Sequence, residues 1–498
     1  MKLNYKRTIL VGFAFFLISA FWQAYDAIVP LILTNHFGLS QTWSGAVMSF
    51  DNVLAVFLLP VFGALSDKVN TKWGKRTPFI FIGTILAVVG FIMLTFIDNY
   101  QLSAVITTDI PEKYAAADAA RKAAYELMAS ARSAGDPTLI AEATAALKAV
   151  DDAFIAIAAE TFEITMVNIV PLVLFILLLL FVLISMAIFR SPAVALMPDV
   201  TVKPLRSKGN AIINLMGTAG GIIVLVLGMV FATSKIYMQY TWYVVAVCTA
   251  MVAGLVIFLF SVKEKLWAEE MLEDTRKYGI EEVAVEDNAE KRKLSRPELI
   301  SLMLILASVA LWYIGYNSIT SKYSVYATRE LGFEYNATLI IAQAAAVIAY
   351  IPIGIISSKF GRRKTILAGI LMLAAAFLLG NFITPITPQP FMYPIFILAG
   401  IGWATINVNS FPMVVELAKG GDVGKYTGYY YTASMAAQIV APNLSGILYD
   451  VFGMRNVFFV FGTVFVLLSF LTMFFVKHGD AKPEKQGALE ALAGGDDD

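Results

Sequence analysis

The sequence predicts an all-α membrane protein: about twelve transmembrane helices in two six-helix halves, with a helical hairpin inserted between helices 3 and 4. Three observations carry that prediction. The 498 residues are 58% hydrophobic and only 15% charged, with a mean hydropathy of +0.72, whereas a soluble chain of this length needs a charged surface. Apolar runs long enough to cross a bilayer come in two sets of six. A charged hinge in the first set returns about 290 residues later in the second, a spacing that marks an internal repeat.

The first set of spans lies near 8–33, 42–66, 77–97, 167–197, 208–233 and 237–262. The second lies near 298–320, 336–357, 365–384, 391–415, 426–448 and 456–476. The first run is too long for a signal-peptide core and continues into further spans, so it reads as a helix that stays in the membrane. Short loops on one side hold about sixteen Lys and Arg, against about four on the other, which predicts both termini cytoplasmic. The domains are then 1–262, 263–296 as a cytoplasmic linker rich in Glu, Lys and Arg, 297–476, and a cytoplasmic tail at 477–498.

Residues 103–165 are Ala-rich and expected outside. The run Ser133 to Pro137 breaks them into two helical patterns, and Ile140, Ala143, Leu147, Val150, Phe154 and Ile157 form a heptad-like stripe in the second. An extracellular helical hairpin is the main reading; a partner-binding element and an engineered insertion are the alternatives.

Composition also excludes. Thirty-seven basic residues balance thirty-seven acidic ones, which gives no electrostatic case for nucleic acid. The single cysteine, Cys248, rules out an intrachain disulfide and argues against a metal cluster. Gly74-Lys75-Arg76 lacks the upstream glycine and following hydroxyl of a phosphate-binding loop. No nucleophile–base constellation suggests an enzyme.

The first hinge runs from Gly63 through Asp67 and Lys68 to Gly74-Lys75-Arg76; its echo runs from Gly354 through Ser358 and Lys359 to Gly361-Arg362-Arg363. After the fourth span of each half come Asp199 with Arg206, and Glu416 with Lys425. These motifs, their placement and the span count resemble the major facilitator superfamily, whose hinge carries Gly, an acid, a base, then Gly and a basic pair. The spacer from Asp67 to Gly74, Arg-x-Pro-Phe at Arg76 to Phe79, and the run Arg190 to Asp199 are similar to the sucrose/proton and glycoside–pentoside–hexuronide cation symporter branch. Val194 stands where sugar symporters often have a base, and the mid-helix-four acid of plant members has no counterpart here. The resemblance implies a secondary active transporter of the plasma membrane, monomeric, without a cofactor, taking a small sugar by alternating access.

In that fold the hinge would be a cytoplasmic gate. Asp67 would approach the amino-terminal end of the eleventh helix near Lys425, while Lys75 or Arg76 would pair with Asp199 as the inner mouth shuts. Arg190 is placed with the same gate.

Two carboxylates, Asp26 and Asp51, fall deep in spans one and two, where ionisable groups are costly. They are candidate proton carriers; with Asn52 and Gln23 they would alternatively hold sodium through oxygen ligands. Gln23, Asn52, Asn214, Trp312, Tyr316, Asn317, Gln343, Trp403, Asn407 and Gln438 form the candidate substrate set, since amides bond sugar hydroxyls and aromatic faces cover sugar C–H groups. Each is equally a helix-tying or interfacial residue. His36, in an outer loop, and His478, at the tail, are not expected to relay protons. The leading function is proton-coupled sugar uptake. Sodium-coupled glycoside symport or export of another small molecule follows, and a non-transporting membrane sensor is the reading from a different class.

Overall fold

A computed structural model describes residues 3–202, 205–277, 294–415, 417 and 423–478. Among the described residues every regular element is helical. Ten of the described helices are long and apolar enough to cross a membrane. The apolar part of α13 (Tyr335–Phe360) and the more polar α16 (Val423–Phe452) complete two sets of six.

The first half comprises α1 (Tyr5–Leu31), α2 (Gln41–Met48) continued by α3 (Phe50–Lys68), α4 (Thr77–Ile106), α7 (Val170–Asp199), α8 (Arg206–Val230) and α9 (Thr241–Ser261). The second comprises α11 (Arg296–Thr320), extended by the short α12 (Tyr323–Val325), then α13, α14 (Arg362–Gly380), α15 (Met392–Val415), α16 and α17 (Met454–Phe474). Packing repeats between them. α1 lies on α8 and α9 as α11 lies on α16 and α17; α4 lies on α7 and α9 as α14 lies on α15 and α17. The halves meet where α8 crosses α13 and where α2 and α3 meet α16.

Between α4 and α7 stand α5 (Ile110–Ala134) and α6 (Pro137–Val167), the expected hairpin. Its turn forms at Gly135, in the left-handed region at φ +65°, followed by Asp136, whose carboxylate accepts from Thr138 N and so starts α6. Ala143, Val150 and Ile157 of the heptad stripe are buried, as are Tyr114, Ala117 and Ala124 of α5, and Ile157 clusters with Tyr114 and Ala117. The hairpin end of the bundle is called here the hairpin face, and the opposite end, with both charged turns, the hinge face.

The linker begins with a helix, α10 (Glu264–Lys277); residues 278–293 lie outside the described residues. α10 is anchored by Trp267, which is 7% exposed and lies under the Arg7 guanidinium, and Arg7 also pairs with Glu270.

His36 departs from the sequence reading. It is not in a loop: α1 continues through a wider turn at Ile32–His36 and buries the imidazole completely. There Nδ1 lies 2.5 Å from Asp98 Oδ1, and the ring stacks on Tyr240. Asp98 escaped notice because the third span, expected to stop at 97, runs to Ile106.

Candidate functional site: a cavity between the two halves

A cavity of about 460 Å³ lies between the halves. Its first-half wall is built by α1, α3, α7 and α8, its second-half wall by α11, α13, α15 and α16. Gln23, Asp26, Asp51, Asn52, Asn214, Tyr316, Asn317, Gln343, Trp403 and Gln438 all line it.

The cavity is chemically two-sided. Both carboxylates come from the first half: Asp26 from α1 and Asp51 from α3, whose Oδ1 accepts from Asn52 Nδ2 at 2.8 Å. Arg190 joins them from α7, its guanidinium 5.6 Å from the Trp22 ring centre and its charge acting on Asp51. The second half supplies rings and amides instead. Tyr316 stacks on Trp403 with centroids 5.9 Å apart, and Tyr350 meets Trp403 edge-on. Gln343 Nε2 donates to Gln23 Oε1 at 2.6 Å, so one amide pair links the two walls, with Gly221 beside both.

Three expectations need correction. Arg190, read as part of the gate, lines the cavity, because α7 continues past it for more than two turns to Asp199. Trp312 is 1% exposed and stacks on Tyr313 inside the second half, with its Nε1 buried and unpartnered among the described residues. Asn407 is likewise buried in α15, off the cavity wall.

At the hinge face Arg76, rather than Lys75, makes the ion pairs. Its Nε donates to Asp199 Oδ2 at 2.8 Å and its Nη2 to Asp67 Oδ1 at 2.5 Å. Asp67 is thereby tied to a residue of its own half. Gly63 faces Ser191 of α7. Gly74, at φ +117°, leaves room for a residue the sequence reading did not single out, Glu264. The Glu264 carboxylate, from a side chain 3% exposed, accepts from the backbone N–H groups of Lys75, Arg76 and Thr77 at 2.6–2.8 Å and from Thr77 Oγ1 at 2.7 Å. It caps α4 from a distant segment, a contact with no local sequence signal.

Arg206 donates to the carbonyls of Pro198 and Thr201 and closes the end of α7. In the second half Gly361 starts α14 and Arg363 donates to the Met473 and Phe474 carbonyls; Arg362 sits in the same first turn. Glu416 lies outside the described residues, and Lys425 falls in α16 with its side chain outside them.

Among the described residues, the polar contacts joining the halves cluster toward the hairpin face. Asp450 of α16 accepts from Gln41 N and Thr42 N at the start of α2, both at 2.8 Å. Lys322, fully buried just past α11, donates to Ser44 Oγ at 2.6 Å. It was missed because the seventh span was ended at 320. From the hairpin, Arg121 donates to the Arg329 carbonyl and stacks on Phe154, while Arg455 Nε reaches Tyr125 OH at 3.4 Å.

Comparison with known proteins agrees with this architecture. The family model described as Major Facilitator Superfamily matches residues 153–349 and 324–494, and one described as MFS/sugar transport protein matches residues 10–107. Neither match reaches residues 108–152, most of the hairpin. The chain is 35% identical over 81 residues to the Multi-drug resistance efflux pump PmrA homolog of Lactococcus lactis, covering 16% of this chain and 20% of that one. It is 25% identical over 128 residues to an uncharacterized MFS-type transporter of Methanocaldococcus jannaschii, 26% of this chain and 32% of that one. The chain thus spans about a third or less of the curated relatives it matches. Among solved structures, the inward open conformation of the xylose transporter XylE from E. coli superposes with a TM-score of 0.60 at 14% identity, over 98% of this chain and 99% of that one. A bacterial homologue of the iron transporter ferroportin, in its inward-facing state, gives 0.57 at 11%, over 95% and 99%. At such identities the likeness is one of fold.

Proposed function

The chain belongs to the Major Facilitator Superfamily and is a multi-pass membrane transporter, and from that premise we propose proton-coupled symport of a sugar or glycoside across the plasma membrane. The observation that carries this reading is the two-sided cavity: Asp26 and Asp51 on one wall, the Tyr316–Trp403 stack and neutral amides on the other. A polyhydroxylated ring offers C–H faces to the aromatic pair and hydroxyls to Gln23, Gln343, Asn317 and Gln438. The carboxylates, enclosed between apolar helices, carry the proton that drives it. In this reading the hinge face is cytoplasmic, the contacts at the hairpin face hold the outer mouth shut, and the protein works as a monomer without a cofactor.

A radiolabelled-sugar panel in proteoliposomes with imposed proton or sodium gradients tests the proposal. Accumulation driven by a proton gradient without sodium supports it; no accumulation of any sugar under either gradient refutes it. One observation favours a second reading: Asp26, Asp51 and Asn52 place several oxygens on one wall, a donor set suited to sodium. Accumulation driven only by sodium would select that version.

A further inference from the structure

His36 and Asp98 form a buried acid–base pair that the cavity does not use. Both side chains are fully enclosed, and neither lines the space between the halves. α6 seals the pair on the hairpin side. Thr165 donates to the Phe37 carbonyl, Gln101 donates to the His36 carbonyl and to Thr165 Oγ1, and a Cβ on Gly38 would lie 2.4 Å from Phe162 N. The second half shows that the fold does not require such a pair. Its first helix also ends in a wider turn, Tyr326–Leu331, followed by Gly332 at positive φ as Gly38 follows His36. There, two residues before the glycine, stands the half-buried Glu330 in place of a buried histidine.

Each element around the pair brings a definite set of charges. α4 brings Asp98 itself and the neutral Gln101, and α2 has no titratable side chain. On α6, Glu160 is held by Lys113 and Glu163 is exposed. α7, whose Phe175 packs on Phe37, has no titratable group before Arg190, and on α1 the nearest is Asp26, about 15 Å along the helix. α9 and its cap bring Tyr243 and Tyr240, the latter stacked on the imidazole. Asp98 makes no ion pair with Lys or Arg among the described residues. His36 Nε2, Asp98 Oδ2 and the hydroxyls of Tyr240 and Tyr243 are buried and unpartnered among them. With one proton between Nδ1 and Oδ1 the pair carries one net negative charge, and a second proton on Nε2 makes it neutral. An enclosed net charge without a counter-ion is costly, and contact with water removes that cost.

The tyrosine wall behind His36 is closed by the other half. Tyr335 of α13, fully buried, shares a 2.7 Å hydrogen bond with Thr233 just past α8, and Asn336 Nδ2 donates to the same hydroxyl at 3.1 Å. Tyr335 is near enough to act electrostatically on both Tyr240 and Tyr243. When the halves part at the hairpin face, Tyr335 and Asn336 leave Thr233 and water gains the tyrosine wall. We propose that His36 and Asp98 form a second proton-binding site, outside the cavity, filled while the hairpin face is shut and emptied when it opens. The proton passes from water on the hairpin side to Nε2 and returns to that water, so it sets the gate and is not transported. Acid on that side holds the face shut, and opening rises with pH, at most about tenfold per pH unit for one linked proton. The proposal rests on the halves parting at the hairpin face, not on the solute carried or the ion that drives it.

The chain has two histidines, so His478→Gln leaves His36 alone. In that full-length protein, reconstituted without substrate, ¹⁵N-labelled imidazole reports the proton on Nε2 by nuclear magnetic resonance. With Cys248→Ser, spin labels on Val170→Cys and Phe391→Cys, exposed positions at the starts of α7 and α15, report the separation of the halves by electron–electron dipolar spectroscopy. Between about pH 5 and about pH 8, Nε2 should lose its proton in step with a rise of roughly threefold or more in the ratio of parted to closed populations. Asp98→Asn should flatten both responses. His36→Gln, which keeps a hydrogen-bond donor for Asp98, should flatten the distance response, and serves where Asp98→Asn does not fold. Both responses should persist with Asp26→Asn and Asp51→Asn together, which sets them apart from the cavity carboxylates. An Nε2 that keeps one protonation state across this range overturns the proposal. So does a separation that ignores it, or a response that survives His36→Gln or is lost with the cavity carboxylates.

Discussion

Gln343 Nε2 donates to Gln23 Oε1 at 2.6 Å, so the halves of the bundle share a hydrogen bond at the wall of the cavity that separates them. A sugar hydroxyl competing for either amide acts on the same contact that holds the walls together. Binding and opening are then coupled through one pair.

Replacing Gln343 with Leu should weaken substrate binding roughly fivefold, the net worth of one hydrogen bond. It should also raise the reactivity of a thiol placed at the hairpin face. Equilibrium binding and thiol accessibility, measured on the same preparation, check both effects. A loss of binding without altered accessibility would leave Gln343 a ligand but not a lock.

Asp26→Asn and Asp51→Asn should each abolish or reduce proton-driven accumulation while sparing exchange of bound sugar across the membrane. Counterflow and gradient-driven uptake in proteoliposomes separate the two activities. If both variants accumulate substrate as the parent does, neither carboxylate carries the proton.

Glu264→Ala removes an acceptor from three N–H groups, two of them buried, and one hydroxyl. The expected cost is about 1–3 kcal/mol. Thermal unfolding reads it, and hydrogen exchange at Lys75, Arg76 and Thr77 should quicken while the hairpin is unaffected. Arg76→Ala should instead release Asp67 and Asp199 together. Because Asp67 is 62% exposed, Asp67→Asn alone should change stability little.

Removing the hairpin grip, by Arg121→Ala with Tyr125→Phe, should favour opening at the hairpin face. Substrate flux should survive, which a ligand-sensing role for the hairpin would not permit. Labelling of a cysteine near Asp450 reports the opening.

The hairpin should also respond to pH. Asp151 is exposed on the hairpin, but partial desolvation first, and then the charge of Glu330, pushes its carboxyl above its ordinary range; Asp152 adds to this and Arg121 opposes it. The packed hairpin therefore favours the protonated form, and ionised Asp151 loosens the packing as pH rises through that range. Asp151→Asn should steady the hairpin near neutral pH, with the gain vanishing in acid. Proteolytic nicking near Gly135, followed against pH, shows it.

Much of this was readable from residues alone. Apolar runs gave the helices, since a bilayer demands about twenty apolar residues in a row. The charged hinges gave the two-half repeat, and Asp26 and Asp51 stood out by their cost in a membrane. What escaped lay at span ends or in contacts between distant segments. Asp98 and Lys322 fell one or two residues beyond assigned spans, and both proved buried. Glu264 lies almost two hundred residues from the helix it caps. Arg190 was placed by its sequence nearness to Asp199, although the turns of α7 between them carry it into the cavity.

At the crossing of α2 and α16 a Cβ on Gly45 would sit 2.2 Å from the Pro442 carbonyl oxygen, and one on Gly446 would sit 2.5 Å from that of Gln41. Backbone there rests on backbone, with no flexible side chain between to absorb a sliding motion. The seam can part only by lifting straight off, as a door leaves its jamb. A single methyl group at either position should hold it ajar.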